Sequence, residues 1–484
     1  MIYLPKVPAH PDPRLGLSYC CPLYTVTVNG QPCDVHSCRV SAVPFNQVWP
    51  GYQRSVNQTE EAGWIRIYGD EAVTVTVKCL LPIQKAVLRP LSKQVQPVQQ
   101  GDTLTFTLTQ NGSYVLEPNG EHNALHIFFD TPQTWPEKEN ATFYFGPGVH
   151  FPTLLTLHSG DSVYLDPEAI VFTAVYARDA ENVHIFGGGV LDDSGEERLD
   201  EACYEGHSKG NLRMYNMRKL RIEGVVLQNS ANWVLALYDS EDVVIDGIKI
   251  VGQWRYNTDG IDLTNTSRVL LQNCFVRSFD DTIVVKAIYN HTACRDIRVE
   301  HCVLWCGWGK TLELGLETSA IEYCNISFID CDLIHNDTGA LAISNGNYAD
   351  IHDILYRDIR VEYNADSMTN KLQASPEDIY EGQPGHMAHL LRIRNSKFAQ
   401  GYDYITIADE RDANYGQCHA ITYRNIQVQL DEGLPMPTVH FISESDTAPI
   451  TDITVDGLFV NGKRITAMDQ LNCEMQNVGT VDWK

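Results

Sequence analysis

Positive charge is scarce in this sequence. Its 484 residues hold 36 Lys and Arg against 62 Asp and Glu, a formal net charge of −26. Such a surface repels phosphate backbones and anionic lipid heads, which disfavours nucleic-acid and membrane-surface partners. It disfavours polyanionic substrates as well, unless local cations form a pocket. Long apolar runs are missing, and none reaches the ~18 residues of a membrane span. The opening MIYLPKVPAHPDPRLGL has no apolar stretch of signal-peptide length. The chain as written therefore reads as cytoplasmic, or as a mature form whose leader was removed. Cysteine is sparse, 14 in all, well below a disulfide scaffold. Free buried thiols fit a reducing compartment. Cys20, Cys21, Cys33, His36 and Cys38 gather in the sequence without a recognised CxxC spacing, so no metal and no cofactor is expected. Helical periodicity is also lacking, which excludes helical repeat arrays.

What is present is a β-repeat. From about residue 180 the pattern apolar-x-apolar-x-x-apolar-x-apolar recurs. Examples are Leu220-Ile222-Val225-Leu227, Val243-Ile245-Ile248-Ile250, Val269-Leu271-Cys274-Val276, Ile297-Val299-Cys302-Leu304 and Ile326-Phe328-Cys331-Leu333. Later copies start at Ile354, Ile421 and Ile453. Alternation on both sides of a two-residue break means two short strands joined by a tight bend. Gly, Asn or Asp stands at the break, as at Gly224, Gly247, Asp330, Asn425 and Gly457. One such unit cannot bury its inward face alone, so the units stack into a three-faced parallel β-solenoid. The long gap from 354 to 421 is expected to hold two coils plus a loop, over Asp366 to Gly385. Cys274, Cys302 and Cys331 occupy one place in successive repeats and read as a core column. Residues 1–135 read differently, as short alternating strands separated by turns such as Asn111-Gly112 and Asn119-Gly120, which suggests an antiparallel β-sandwich. The expected organisation is all-β: a β-sandwich domain over 1–135, then a parallel β-helix domain over 136–484.

Two neighbouring coils carry Asn257-Thr258-Asp259-Gly260-Ile261-Asp262 and Phe279-Asp280-Asp281-Thr282. Rungs of a solenoid lie about 4.8 Å apart, so Asp259, Asp280 and Asp281 should converge on one outer face. Mutual repulsion raises at least one pKa, leaving a protonated acid beside ionised carboxylates. Glycoside hydrolysis needs that pairing. Aspartates that merely cap solenoid bends, or that hold calcium, give the same residues a different reading.

The motif NTDGIDL followed one coil later by FDD resembles glycoside hydrolase family 28, the polygalacturonase-like enzymes, and the related family 49, the dextranases and isopullulanases. FGPGVHF, ENVHIFGGGVLDDSG and LQNSANWVLAL agree, and the resemblance runs over roughly 142 to 345. It implies a right-handed parallel β-helix of pectin-lyase type, and a preceding sandwich is similar to the family 49 layout. It also implies an inverting hydrolase with Asp280 as general acid, and with Asp259 and Asp281 activating water. The sequence departs from the polygalacturonase pattern at two places. Gly307-Trp308-Gly309 replaces Gly-His-Gly, and Ala342 and Ser344 stand where an Arg-x-Lys would hold a uronate. With the acidic surface, this favours a neutral or weakly charged oligosaccharide or polysaccharide.

Coil position adds candidate sugar-binding groups: Tyr256, Asn257, Lys286, Trp308, Glu313, Glu317, His335, Asn336 and Asn345. Trp308 has the apolar face that stacks on a pyranose, though a rim aromatic has the same sequence. Lys286 either binds sugar hydroxyls, tunes the aspartates or is solvated, and the polar residues serve equally as bend caps. The insertions at 191–215, which includes His207, and at 366–385 are expected to wall or block the cleft. A β-helical polysaccharide lyase and a non-catalytic carbohydrate-binding solenoid remain open beside the hydrolase.

Overall fold

The computed structural model describes residues 2–43, 55–199, 206–288, 292–369, 383–397 and 414–484. Among them, strands dominate and the only helices are short 3-10 turns. No helix is long and apolar enough to cross a membrane.

The repeat predicted from sequence is the physical register of the solenoid. Leu220 pairs with Val243, Val243 with Val269, Val269 with Ile297, and Ile297 with Ile326. Ile326 then pairs with Ile354, Ile354 with Ile421, and Ile421 with Ile453. All these pairings are parallel, and the inward residues form one continuous core from Leu155 to Leu471. Each coil adds one strand to an eleven-stranded sheet that forms the first face, and the remaining strands form the other two faces. The result is a right-handed parallel β-helix. Cys274, Cys302 and Cys331 sit side by side in the core, each thiol directed at the carbonyl two residues before it.

The bends follow from backbone sterics. Lys219, Asp242, Arg268, Asp296, Asn325, Asp353, Ala420 and Asp452 all have positive φ, and each directly precedes the first apolar residue of its repeat. Gly224, Gly247, Asn273, His301, Asp330, Asp358, Asn425 and Gly457 have positive φ at the break. Gly, Asn and Asp reach the left-handed region most easily, which is why they recur there.

One expectation is corrected. Ile354 pairs directly with Ile421, and a single first-face strand, His389–Asn395, lies between them. The stretch from 354 to 421 is therefore one coil with two insertions, not two coils plus a loop. Insertions at bends leave the ladder intact, so sequence spacing alone miscounts the rungs. Most of the loop expected at 366–385 lies outside the described residues. Its start reaches the sandwich, where Lys85 Nζ lies 3.0 Å from Asp366 Oδ2.

The N-terminal strands form two five-stranded sheets packed across a shared core that includes Val26, Val75, Phe106, Ile65, Leu116 and Ile127. The pairing is antiparallel except where Thr59–Tyr68 runs parallel to Leu125–Asp130. One sheet packs on the second face of the solenoid: Val40, Trp64, Val115 and Phe128 meet Val226, Val251, Phe275, Val303 and Trp305. His36, expected near a cysteine cluster, is buried and stacked on Trp64 at 3.7 Å, where burial holds its imidazole down at about 3. The cysteines around it are free thiols.

Candidate active site

The cleft forms where the first-face strands begin. Ile261 pairs with Ile283, and Ile283 with Leu312. Stepping back two residues along each strand aligns Asp259, Asp281 and Lys310 on three successive rungs. Asp280 precedes Asp281 and joins the same group. The aspartates line a cleft of about 400 Å³ with Trp233, Tyr256, Asn257, Lys286, Trp308, Lys310 and Glu317.

Each aspartate has its own surroundings. Asp281 is buried and accepts from the Lys310 backbone N–H at 2.8 Å, with Lys310 Nζ at 3.6 Å and Lys286 Nζ at 4.0 Å. Burial opposes its charge, but the two ammonium groups and the amide prevail and hold its pKa below the ordinary value. Asp280 keeps part of its surface open to the cleft, accepts from the Asp281 N–H at 3.0 Å and lies 3.4 Å from Asn257 Nδ2. Burial, then the charges of Asp259 and Asp281, push it well above the ordinary carboxyl value. Asp259 is 2% exposed and titrates at about 6, raised by burial and Asp281 and opposed by Lys286.

Lys286 is the pivot beneath them. Its ammonium lies 2.7 Å from Asp259 Oδ2 and 3.0 Å from Asp262 Oδ1, and 3.9 Å from the centre of the Trp233 ring. Burial works against the ammonium, but the surrounding carboxylates keep its pKa raised. Lys286 is buried rather than solvated, and it both lines the cleft and pairs with the aspartates. Gly309 permits the close packing: a Cβ there would fall 2.4 Å from Asp281 Oδ1 and 2.6 Å from Asp280 Oδ1.

Tyr256, Asn257, Trp308 and Glu317 line the cleft. Trp308 packs on Tyr256 at 5.2 Å and stacks on Phe279 at 5.4 Å. Glu313 stands behind the wall, fully buried, with Lys310 Nζ 3.1 Å from Oε2. Burial and Asp281 raise it to about 7. Three further candidates also stand outside the cleft lining. His335 lies on the second face, where its Nε2 meets Glu117 Oε1 of the sandwich at 2.5 Å and its ring packs on Trp305. Asn336 accepts from Thr311 Oγ1 at 2.6 Å inside the wall. Asn345 braces a bend, donating to the Ala349 carbonyl at 2.8 Å and accepting from Thr318 Oγ1 at 2.7 Å.

Sequence reasoning left five residues without a role. Lys310 directly follows Gly307-Trp308-Gly309, and Asp262 stands within NTDGIDL, but only the rung register shows that they face the aspartates. Trp233 belongs to the fragment LQNSANWVLAL, which carries no sign of a cleft position. Arg198, in the first insertion, donates to the Tyr256 carbonyl at 2.8 Å and to Asn257 Oδ1 at 3.2 Å, so part of that insertion does brace the cleft wall. His207 is exposed, and residues 200–205 lie outside the described set. Arg392 aligns with Ala342 one coil on and donates to Ser344 Oγ at 2.5 Å. A cation thus stands one rung beyond the pair where none was expected.

The family model for glycosyl hydrolases family 28 matches residues 149–368, which contain all three aspartates. Over those residues the chain is similar to the family 28 glycosyl hydrolases. A probable polygalacturonase of Arabidopsis thaliana is 23% identical over 39% of this chain and 43% of its own length. A polygalacturonase of Juniperus ashei is 22% identical over 50% of this chain and 51% of its own. The chain thus spans about half the length of the curated relatives it matches. Dex49A from Penicillium minioluteum has a similar fold, with a TM-score of 0.64 and 12% identity over 98% of this chain and 96% of that one. The chain thus combines this β-helix with Trp308 in the cleft lining, while Ala342 and Ser344 are buried one rung beyond Glu313 and Gly315.

Proposed function

We propose that this chain is an inverting glycoside hydrolase. The observation that carries the reading is the division of proton affinity within one cleft. Asp280 is held protonated and faces the opening, while Asp281 beside it is held ionised. A protonated carboxyl there donates to the leaving glycosidic oxygen, and ionised Asp281 with Asp259 takes a proton from the attacking water. Lys286 fixes Asp259 and neutralises part of the cluster. It does so without supplying a second acid, since its own proton is held tightly.

The proposed substrate is a neutral or weakly charged oligosaccharide or polysaccharide. The lining carries four carboxyl groups, Asp259, Asp280, Asp281 and Glu317, against two ammonium groups, Lys286 and Lys310. Both ammonium groups lie within 4.0 Å of Asp281, so their charge is already engaged. Trp308 offers an aromatic face at the rim. A uronate glycan is the second reading. It is favoured by the sequence similarity to polygalacturonases and by Arg392, one rung beyond Ser344. The deciding experiment incubates the chain with neutral α-glucans and with polygalacturonate, and follows the product anomer by NMR. Inverted product from a neutral glycan, lost in Asp280→Asn, is expected. Equal cleavage by both proteins removes Asp280 from its role. Cleavage of polygalacturonate alone overturns the neutral assignment.

A further inference from the structure

A second group of donor atoms stands on the solenoid away from the cleft lining. Strand Glu322–Ile329 lies beside Asp350–Ile351, with Glu322 opposite Asp350 and Tyr323 opposite Ile351. Continuing that register sets Cys324 beside His352. The next rung aligns Ile351 with Cys418 and so sets His419 beside His352. The two imidazoles stack with centroids 5.2 Å apart and planes 10° from parallel. One ligand atom from each of Glu322, Cys324 and His352 lies within 4.8 Å of the others, and all three residues are half-exposed. None of them lines the cleft.

We propose that Glu322, Cys324 and His352 form a binding site for zinc or a similar borderline-soft divalent ion, with one coordination position left to water. The donor set points to that class of ion. A thiolate and an imidazole suit zinc and cobalt, whereas calcium and magnesium take oxygen ligands. The histidine is already oriented to ligate: Nδ1 lies 2.8 Å from Asp353 Oδ2, and Nε2 lies 3.5 Å from Glu322 Oε2. A carboxylate holding one ring N–H while the other nitrogen binds the ion is the usual support of a metal-bound histidine. Bonds of about 2.0–2.1 Å from zinc to nitrogen and oxygen place two tetrahedral donors roughly 3.4 Å apart. The nitrogen–oxygen pair already has that spacing, and a rotation of the half-exposed Cys324 side chain brings in the sulfur. The Glu322 carboxylate and a Cys324 thiolate, formed as the ion displaces the thiol's proton to solvent, balance the dication. Asp350, 2.9 Å from His419 Nε2, adds negative potential nearby. The competing arrangement is an imidazolium bridging Glu322 and Asp353, and it takes up no metal.

The test uses the full chain, stripped with a chelator, dialysed, and titrated with zinc chloride or cobalt(II) chloride alone. Bound zinc is counted by mass spectrometry, and cobalt is followed by its thiolate charge-transfer absorption. About one equivalent of zinc and a thiolate–cobalt band are expected. Both should disappear in Cys324→Ser and in His352→Ala, while Cys473→Ser retains them. Asp353→Asn should weaken binding by about 10–100-fold. Metal-free melting curves matching the parent protein establish that the variants fold. No zinc uptake by the parent overturns the proposal. So does uptake that survives both Cys324→Ser and His352→Ala, since the ion then sits elsewhere.

Discussion

The sandwich–solenoid junction and the cleft both bury charged side chains, yet they arrange them in opposite ways. At the junction, signs alternate. Arg89 Nε meets Glu117 at 2.8 Å, another Arg89 nitrogen meets Glu362, and Glu117 also meets His335. Arg66 and Lys249 flank Asp130 at 2.8 and 3.1 Å. Charged partners outweigh burial at Glu117, whose carboxyl is pulled down to about 2. In the cleft and the wall behind it, five buried or half-buried carboxyls, Asp259, Asp262, Asp280, Asp281 and Glu313, share Lys286 and Lys310. Burial and like charge win at four of them, whose pKa values are raised. Alternating sign holds Glu117 ionised at the joint between two modules, although burial still raises its neighbour Glu362. Buried charge of one sign holds protons, which is useful to acid catalysis and unfavourable to stability at neutral pH.

The largest test of that contrast removes the acid. Asp280→Asn should lower glycan turnover by about 10²–10⁴-fold while the melting temperature stays level or rises, because a carboxyl held under repulsion becomes a neutral amide. Loss of activity together with a large loss of stability would erase the distinction. Next in size is Gly309→Ala, whose new methyl group must displace Asp280 or Asp281. A misplacement near 1 Å costs about 10²-fold in rate, read as a fall in kcat by single-turnover kinetics. At the junction the effect should be on stability instead. Arg89→Met leaves Glu117 and Glu362 buried with less counter-charge, an expected cost of about 3–5 kcal/mol by denaturant unfolding. Turnover of the folded protein at low temperature should stay near that of the parent.

The smallest effect is the pH dependence of stability, and the two regions should show opposite signs. Asp259 at about 6 and Glu313 at about 7 have raised values. Their contribution is fully present below the unfolded carboxyl range, and is lost as pH rises through 6 to 7. Glu117 has a lowered value, about 2. Its contribution is present above the unfolded value, near 4.5, and is lost as pH falls toward 2. Melting temperatures across pH 3–8 should therefore lose their neutral-side decline in Asp259→Asn. In Glu117→Gln they should lose part of their acid-side decline. A parallel shift at all pH values in both variants would contradict the assignment.

The legibility of the sequence followed the same division. The repeat was readable because core burial demands an apolar residue at each inward rung position. The bends were readable because positive φ favours Gly, Asn and Asp. The aspartates were readable because they sit a fixed number of residues before such rungs. His335 and Arg392 were not. His335 occupies a second-face strand whose outward side is covered by the sandwich, and no local pattern states what covers an outward face. The unbroken apolar pairs at Val225-Val226 and Val303-Leu304 did carry a trace of that cover, since a strand buried on both sides loses its alternation. Arg392 was hidden by the insertions flanking its strand, which broke the count of rungs.

The sequence by itself determined the solenoid, its bends, its cysteine column and the three aspartates that gather at one edge. These depend on interactions between a residue and its own rung or the next. Only the tertiary structure decided which carboxyls have raised proton affinity, that Lys286 ties Asp259 to Asp262, that Lys310 lines the cleft, and that Arg392 stands one rung beyond Ala342. It also decided that His335 joins the junction. Those outcomes depend on distance and dielectric between side chains from different coils and from the sandwich, quantities that no linear spacing encodes.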